Sequence, residues 1–227
     1  MVKTSLDQQF HFLERMENEN VIRKTLLEVC IEIQSPEIDL EELMTLEGFT
    51  IRYYNSDKSS VYIGQLATPE DSPSKIVRHG VGVIRYENGR RQYEGEWFND
   101  LREGRGFERY SNNNSYFGGF SQGKAHGIGV YKWSNGEVYD GEWSEGLKHG
   151  HGVWKSADGG DSYIGEWRHS KAEGYGLHVW RNGDRYEGEW KQCLKHGNGL
   201  DTFGNGDTYQ GEFQNGKSQG RGSYNWA

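Results

Sequence analysis

The sequence predicts a mainly β protein: an elongated, single-layer antiparallel meander of about seven hairpin repeats, with a short, mainly α segment at its N-terminus. Three observations predict it. Tyr93, Tyr116, Tyr139, Tyr163, Tyr186 and Tyr209 lie 23, 23, 24, 23 and 23 residues apart, and each opens a near-copy of one phrase. A second, Gly-x-Gly phrase follows each opening at a fixed distance. Asn-Gly pairs separate the units. A fixed period of this length marks a stacked array of one supersecondary unit and excludes a globular enzyme built around a single site.

The opening phrases are Tyr93-Glu94-Gly95-Glu96-Trp97, Tyr139-Asp140-Gly141-Glu142-Trp143, Tyr163-Ile164-Gly165-Glu166-Trp167 and Tyr186-Glu187-Gly188-Glu189-Trp190. Looser copies end in Phe: Tyr116-Phe117-Gly118-Gly119-Phe120 and Tyr209-Gln210-Gly211-Glu212-Phe213. Tyr, Gly and Trp or Phe alternate with acidic or small residues, so the aromatics share one face of a short strand. The second phrases, such as His126-Gly127-Ile128-Gly129 and His149-Gly150-His151-Gly152, run on into strand-favouring residues such as Val130-Tyr131-Lys132-Trp133.

Asn88-Gly89, Asn135-Gly136, Asn182-Gly183 and Asn205-Gly206 sit between a second strand and the next opening Tyr. Asn-Gly is a strong hairpin signal, with positive φ expected at both central residues. The turn inside each unit carries Gly123, Gly146 and Gly216, or Asp100, Ser170 and Cys193. Each Gly-x-Gly pair is expected beside Tyr and Trp rings of adjoining strands, which cover the bare backbone.

Residues 1–47 form a separate, acidic segment with 4 Lys+Arg against 11 Asp+Glu. Phe10, Leu13 and Met16 follow helical spacing, as do Ile22, Leu26, Val29, Cys30 and Ile33. Over 20–34 a short strand is the alternative, since Val29, Ile31 and Ile33 also alternate. A last helical turn is expected after Pro36, with Asp39 and Glu42 spaced as a capping box. Residues 48–227 form the array. It begins with a degenerate half-unit from Gly48, then a full unit at Tyr62 whose inner turn, Ala67–Lys75, is enlarged.

Composition narrows the function classes. The chain of 227 residues carries a net charge of −8, and no basic field exists to draw nucleic acid. Two cysteines make no disulfide framework, no apolar run is long enough to span a membrane, and no targeting leader is apparent. The expected setting is intracellular and soluble.

The Tyr-x-Gly-Glu-Trp, His-Gly-x-Gly and Asn-Gly-x-x-Tyr pattern over residues 62–227 resembles the MORN (membrane occupation and recognition nexus) repeat family. The resemblance implies a twisted antiparallel sheet with an aromatic-lined groove. It also implies scaffold or adaptor roles in cilia, flagella or the cortical cytoskeleton. Some members are regulatory segments of phosphoinositide kinases or lysine methyltransferases, but no catalytic domain accompanies the repeats here.

Other motifs fit the repeat frame better than a reaction. Gly119-Phe120-Ser121-Gln122-Gly123 matches a nucleophile-elbow string, yet no helix follows it. His79, His126, His149 and His196 recur at one repeat position, about 10 Å from one to the next, too far to share a metal ion. Lys124, Lys148, Lys195 and Lys217 read as one charged rim near the hairpin tips, discouraging sheet-to-sheet association.

The expected function is therefore a non-enzymatic scaffold without cofactor, catalytic residue or metal site. The groove is assigned to Tyr93, Trp97, Tyr116, Phe120, Tyr139, Trp143, Tyr163, Trp167, Tyr186, Trp190, Tyr209 and Phe213, with a helix or extended peptide of a partner protein as occupant. Tyr224 and Trp226 flank a C-terminal edge strand open to pairing. The alternatives are peripheral phosphoinositide contact through Arg90, Arg91, Arg102 and Arg105, or a regulatory segment of a longer lipid kinase or methyltransferase. The expected location is the cytoplasm, at a cilium, axoneme or cytoskeletal structure.

Overall fold

The computed structural model describes residues 50–54, 60–86 and 90–227. The expected helices of 1–47, Cys30, the Asp39/Glu42 box and the Asn88-Gly89 turn lie outside the described residues. The chain divides into a unit ending at Ile51 and a unit running from Arg52 to Ala227. Among the described residues fifteen strands make one sheet, each hydrogen-bonded to its sequence neighbours, from Thr50–Tyr54 to Lys217–Asn225. Opening and second strands alternate, as in Val138–Ser144 with Leu147–Lys155 and Ser162–Arg168 with Lys171–Val179, and their registers are antiparallel. The described residues contain no helix.

One unit shows why the repeated residues are needed. Gly141 lies opposite Gly152, and the pairing then jumps from Glu142 to His149, so Gly150 and His151 bulge out of the second strand. Gly150 has φ of 51°, and a Cβ there would lie 2.4 Å from the Glu142 carboxylate. That carboxylate accepts the bulged His151 N–H at 2.8 Å. Glu96, Glu166 and Glu189 accept the Arg105, Tyr175 and Asn198 N–H groups in the same way. The Glu of Tyr-x-Gly-Glu-Trp is thus the bulge's hydrogen-bond partner.

The second glycine of each pair makes room for a ring. A Cβ on Gly152 would lie 2.3 Å from the Tyr139 hydroxyl and 2.6 Å from its ring. Tyr139 therefore lies flat across the strand pair, and its hydroxyl donates to the Glu142 carbonyl at 3.0 Å. Tyr62, Tyr93, Tyr116, Tyr163, Tyr186 and Tyr209 repeat this bond three residues ahead. The Trp143 indole N–H donates to the Gly129 carbonyl at 2.9 Å, and Trp97, Trp167 and Trp190 make the matching bond.

The rings then meet edge to face. Trp143 stands against Tyr139 at 5.2 Å and 88°, and against Tyr116 of the preceding unit at 5.2 Å and 79°. The same pair of contacts recurs from Tyr62 to Phe213. Each contact is worth ~0.5–1.5 kcal/mol beyond burial. A single-layer sheet thereby builds its core on one of its own faces.

The described Asn-Gly turns do not take the backbone expected of them; the inner turns do. Positive φ at both central residues occurs in the inner turns: Gln122 and Gly123 at 50° and 80°, His169 and Ser170 at 50° and 64°, Gln192 and Cys193 at 55° and 66°. These are the type I′ hairpins. In the outer turns a single central residue takes positive φ: 96° at Gly136, 88° at Gly183, and 64° at Asn113 where no glycine is present. Gly136 N–H bonds the Trp133 carbonyl, Trp133 N–H bonds the Glu137 carbonyl, and Asn135 Oδ1 accepts the Glu137 N–H. The Asn therefore serves through its side chain, not through a left-handed backbone. The enlarged inner turn after Ala67 holds its own bonds, Ser72 N–H to Pro69 and Lys75 N–H to Ser72.

Successive inner turns are tied together. Ser170 N–H donates to the Lys148 carbonyl, and Cys193 N–H to that of Ala172. Where the turn residue has a side chain, a second bond forms. Asp100 Oδ1 accepts the Arg78 N–H, Ser170 Oγ the Lys148 N–H, and Cys193 Sγ the Ala172 N–H.

Substitutions of a ring and of a glycine test this packing. Trp143→Ala or Trp167→Ala should cost ~3–5 kcal/mol in denaturant unfolding. Gly152→Ala, which adds only a methyl, should cost ~1–3 kcal/mol by driving into the Tyr139 ring.

Candidate functional site: the aromatic face

The strand alternation puts Tyr, Trp and the Gly-x-Gly backbone on one face, and this face collects the candidate binding residues. Most of those candidates are core. Tyr93, Tyr116, Tyr139 and Tyr186 are fully covered, and Trp97, Phe120, Trp143, Tyr163, Trp167, Trp190 and Phe213 are at most 8 % exposed. Burial pushes the Tyr phenols up, that of Tyr186 to about 12. Only Tyr209 of the set is partly exposed. Glycine under each Tyr allows rings to lie down and cover one another, so they offer a partner little surface.

What the ladder leaves on this face is a flanking row that the opening-phrase pattern does not contain. Tyr110, Tyr131, Trp133, Trp154 and Trp180 come from the ends of the second strands and pack half-buried against the core. Tyr131 stacks at a tilt on Trp133 at 4.6 Å, and His178 lies parallel to Trp180 at 4.2 Å. Their sequence signal is the aromatic two or four residues after the Gly-x-Gly phrase.

Cations rise from the inner-turn ends of the second strands and reach over the rings. Arg78 lies 4.2 Å from the Trp97 ring, Arg102 5.3 Å from Phe120, Lys148 3.9 Å from Trp167 and Lys195 4.9 Å from Tyr186. The expected lysine rim therefore divides. Lys148 and Lys195 lie over rings, whereas Lys124 is exposed and bonds Glu145 at 2.7 Å, and Lys217 is exposed.

Acidic groups answer most of these cations. Arg78 bonds Asp100 at 3.0 Å. Burial alone would raise the Asp100 carboxyl, but the Arg78 N–H and guanidinium outweigh it and hold it below its usual range. Glu108 is 1 % exposed and takes both Arg91, at 2.6 Å, and Arg102. Two of the four candidate lipid-binding arginines are thus committed to a buried carboxylate. Arg90 is exposed, and Arg105 donates its backbone N–H to Glu96. Lys195 pairs with Asp201.

At the far end of the sheet Tyr224 and Trp226 are exposed, with Trp226 79 % accessible. Tyr224 donates to Asp207 at 2.9 Å, and its strand, Lys217–Asn225, pairs only with Thr208–Gln214. Ser121 donates to Glu103 at 3.2 Å within the sheet. No grouping of His, Cys, Asp and Glu fit for a metal occurs among the described residues, and no described helix is long and apolar enough to cross a membrane.

The reverse face carries a perturbed acid. Asp140 pairs with Val130 and Val153, and burial pushes its carboxyl up to about 6 against the opposing pull of Lys155.

Comparison with known proteins adds the following. The family model described as MORN repeat matches residues 74–90, 93–115, 116–138, 139–161, 163–185, 186–208 and 209–227. No curated protein matches the sequence. Among solved structures, the SAS-4 (dCPAP) TCP domain of Drosophila melanogaster, in complex with a proline-rich motif of Ana2 (dSTIL), is 12% identical over 72% of this chain and 89% of that one, with a TM-score of 0.36. The TCP10 domain of Danio rerio CPAP is 11% identical over 72% of each chain, with a TM-score of 0.37. The CPAP G-box domain is 10% identical over 79% of this chain and 99% of that one, with a TM-score of 0.28.

Two outcomes are expected. Glu108→Ala strands two guanidinium groups in the ring layer and should cost ~3–5 kcal/mol, measured by urea unfolding. Asp140 has a folded pKa above its unfolded one, so its contribution to stability is present below pH ~4 and is lost as pH rises through about 6. Asp140→Asn should accordingly be more stable than wild type at pH 7.5 and equal to it near pH 4, compared by thermal melting.

Proposed function

Because the chain belongs to the MORN repeat family, we propose that it is a non-enzymatic scaffold whose aromatic face holds a segment of a partner protein within a larger assembly. The observation that carries this reading is the row of half-buried rings, Tyr131, Trp133, Trp154 and Trp180, left beside a ladder that has already buried itself. Rings on adjacent hairpins stand about 10 Å apart, two strand spacings. An extended peptide or a helix crossing the strands meets such rings in turn, and aromatic side chains are effective anchors.

The cation row gives the occupant its character. Arg78, Arg102, Lys148 and Lys195 lie along the same face as the rings. Arg78, Arg102 and Lys195 are answered by acids of the sheet itself, so the partner segment we propose is apolar, with an acidic side chain for Lys148. A second contact is strand addition at Lys217–Asn225, where Tyr224 and Trp226 stand ready to pack. The fully buried rings of the ladder act by shaping this surface. A cilium, axoneme or cytoskeletal structure as the setting belongs to the same proposal.

The test is a Trp133→Ser/Trp180→Ser double variant. It should unfold cooperatively like wild type but lose, by at least tenfold in affinity, the protein that co-purifies with the native chain. Retention of that partner at unchanged affinity overturns the groove reading.

A further inference from the structure

The residues that follow the inner turns alternate along the array. Leu101-Arg102, Leu147-Lys148 and Leu194-Lys195 take turns with Lys124-Ala125, Lys171-Ala172 and Lys217-Ser218. In the first set the cation lies on the ring face and reaches along its strand. Six residues on, Arg102 meets Glu108, and Lys195 meets Asp201, each as an ion pair. Both acids are buried, Glu108 to 1 % and Asp201 to 9 % exposure.

The middle unit breaks this rule. Six residues after Lys148 stands Trp154. The Lys148 ammonium is surrounded instead by aromatic faces: Trp167 at 3.9 Å, Tyr139 at 5.3 Å and Trp133 at 5.9 Å. Among the described residues no carboxylate forms an ion pair with it. Glu137 is the acid whose field reaches it, but that carboxylate is occupied by Trp154 Nε1 at 3.2 Å and Asn135 Nδ2 at 2.7 Å. Burial pulls the Lys148 ammonium below its usual pKa, and the fields of Cys193 and Glu137 do not restore it. A cation held among rings without a counter-ion is an incomplete ion pair, because desolvation has been suffered and the compensating contact is missing.

We propose that Lys148, with Trp133, Tyr139 and Trp167 around it, is a carboxylate-binding site, and that a partner segment on the aromatic face supplies an Asp or Glu side chain to the place that Glu108 and Asp201 fill two units away on either side. Lys148 and Trp154 are both part-exposed, so the ammonium is reachable from the open face. The flanking indoles exclude water from the pair and seat the apolar neighbours of the acid. The site fixes register: among the described residues only one of the equivalent cations lacks its internal acid, so only one alignment of an acidic partner segment completes the row. This deepens the scaffold reading and rests on it.

The experiment selects a random 12-residue peptide library, displayed on phage, against the full chain, and measures the chosen peptides by calorimetry. The selected peptides should share an Asp or Glu beside an apolar residue. Lys148→Met, which keeps the alkyl stem on Trp167, should melt like wild type and weaken binding by about tenfold or more. Changing the peptide's acid to its amide should produce a similar loss, and the two changes together should cost no more than either alone. Peptides that lack an acid, or an acid whose removal costs the same in Lys148→Met, overturn the carboxylate site while leaving groove binding intact. Peptides unaffected by Trp133→Ser/Trp180→Ser defeat the groove reading itself. Binding to phosphatidylserine vesicles, or self-association, that Lys148→Met abolishes while no peptide is selected assigns the lysine to a headgroup or a second copy and overturns the proposal.

Discussion

A tyrosine ring laid flat across two facing glycines is the contact on which the rest of this structure depends. With Cβ atoms at Gly141 and Gly152 the Tyr139 ring would have to stand up, and its hydroxyl would leave the Glu142 carbonyl. Lying down, it presents its edge and face to Trp143 within its own unit and to Trp167 of the next. Glycine weakens a strand by entropy, by about 0.5–1 kcal/mol relative to Ala. Here the vacated volume is refilled by the most area-rich side chains available, and the exchange favours the fold. Glu of the opening phrase completes the arrangement by satisfying the bulge that brings the two glycines face to face.

The architecture was legible because period, alternation and Gly placement all report one unit. The strands, their order, the enlarged turn after Ala67 and the packing of rings on Gly-x-Gly are local consequences of that unit. Two other features were not legible, for different reasons. Asn-Gly satisfies two turn geometries, one through backbone φ and one through the Asn side chain, and the phrase alone does not distinguish them. Glu137 N–H, bonded to Asn135 Oδ1, shows which one operates here. His169-Ser170 and Gln192-Cys193 carry no recognised turn signal, yet they take the two-residue turn because neighbouring turns hold them.

The division of the aromatics into core and surface was the harder matter. Alternation assigns Tyr139, Trp143 and Trp154 to one face, and nothing in that pattern says which rings will cover which. Coverage follows from ring tilt, and tilt follows from the glycines, so the distinction is one of packing. The cation row has the same character. Lys124 and Lys148 are near neighbours in the repeat frame, but one residue of phase separates a solvated charge from one set over indoles. The spacing of six between Arg102 and Glu108, and between Lys195 and Asp201, was visible in the sequence. Its meaning required knowing that a side chain lies along the strand to span it.

Every ring contact, turn-to-turn bond and ladder pairing in this sheet joins a hairpin only to the one before or after it. Free energy is then stored as a string of interfaces, and the molecule acts as a one-dimensional cooperative system. A lesion at an end frays the end. A lesion at the centre, at Tyr139 for instance, divides the array into two halves that melt separately.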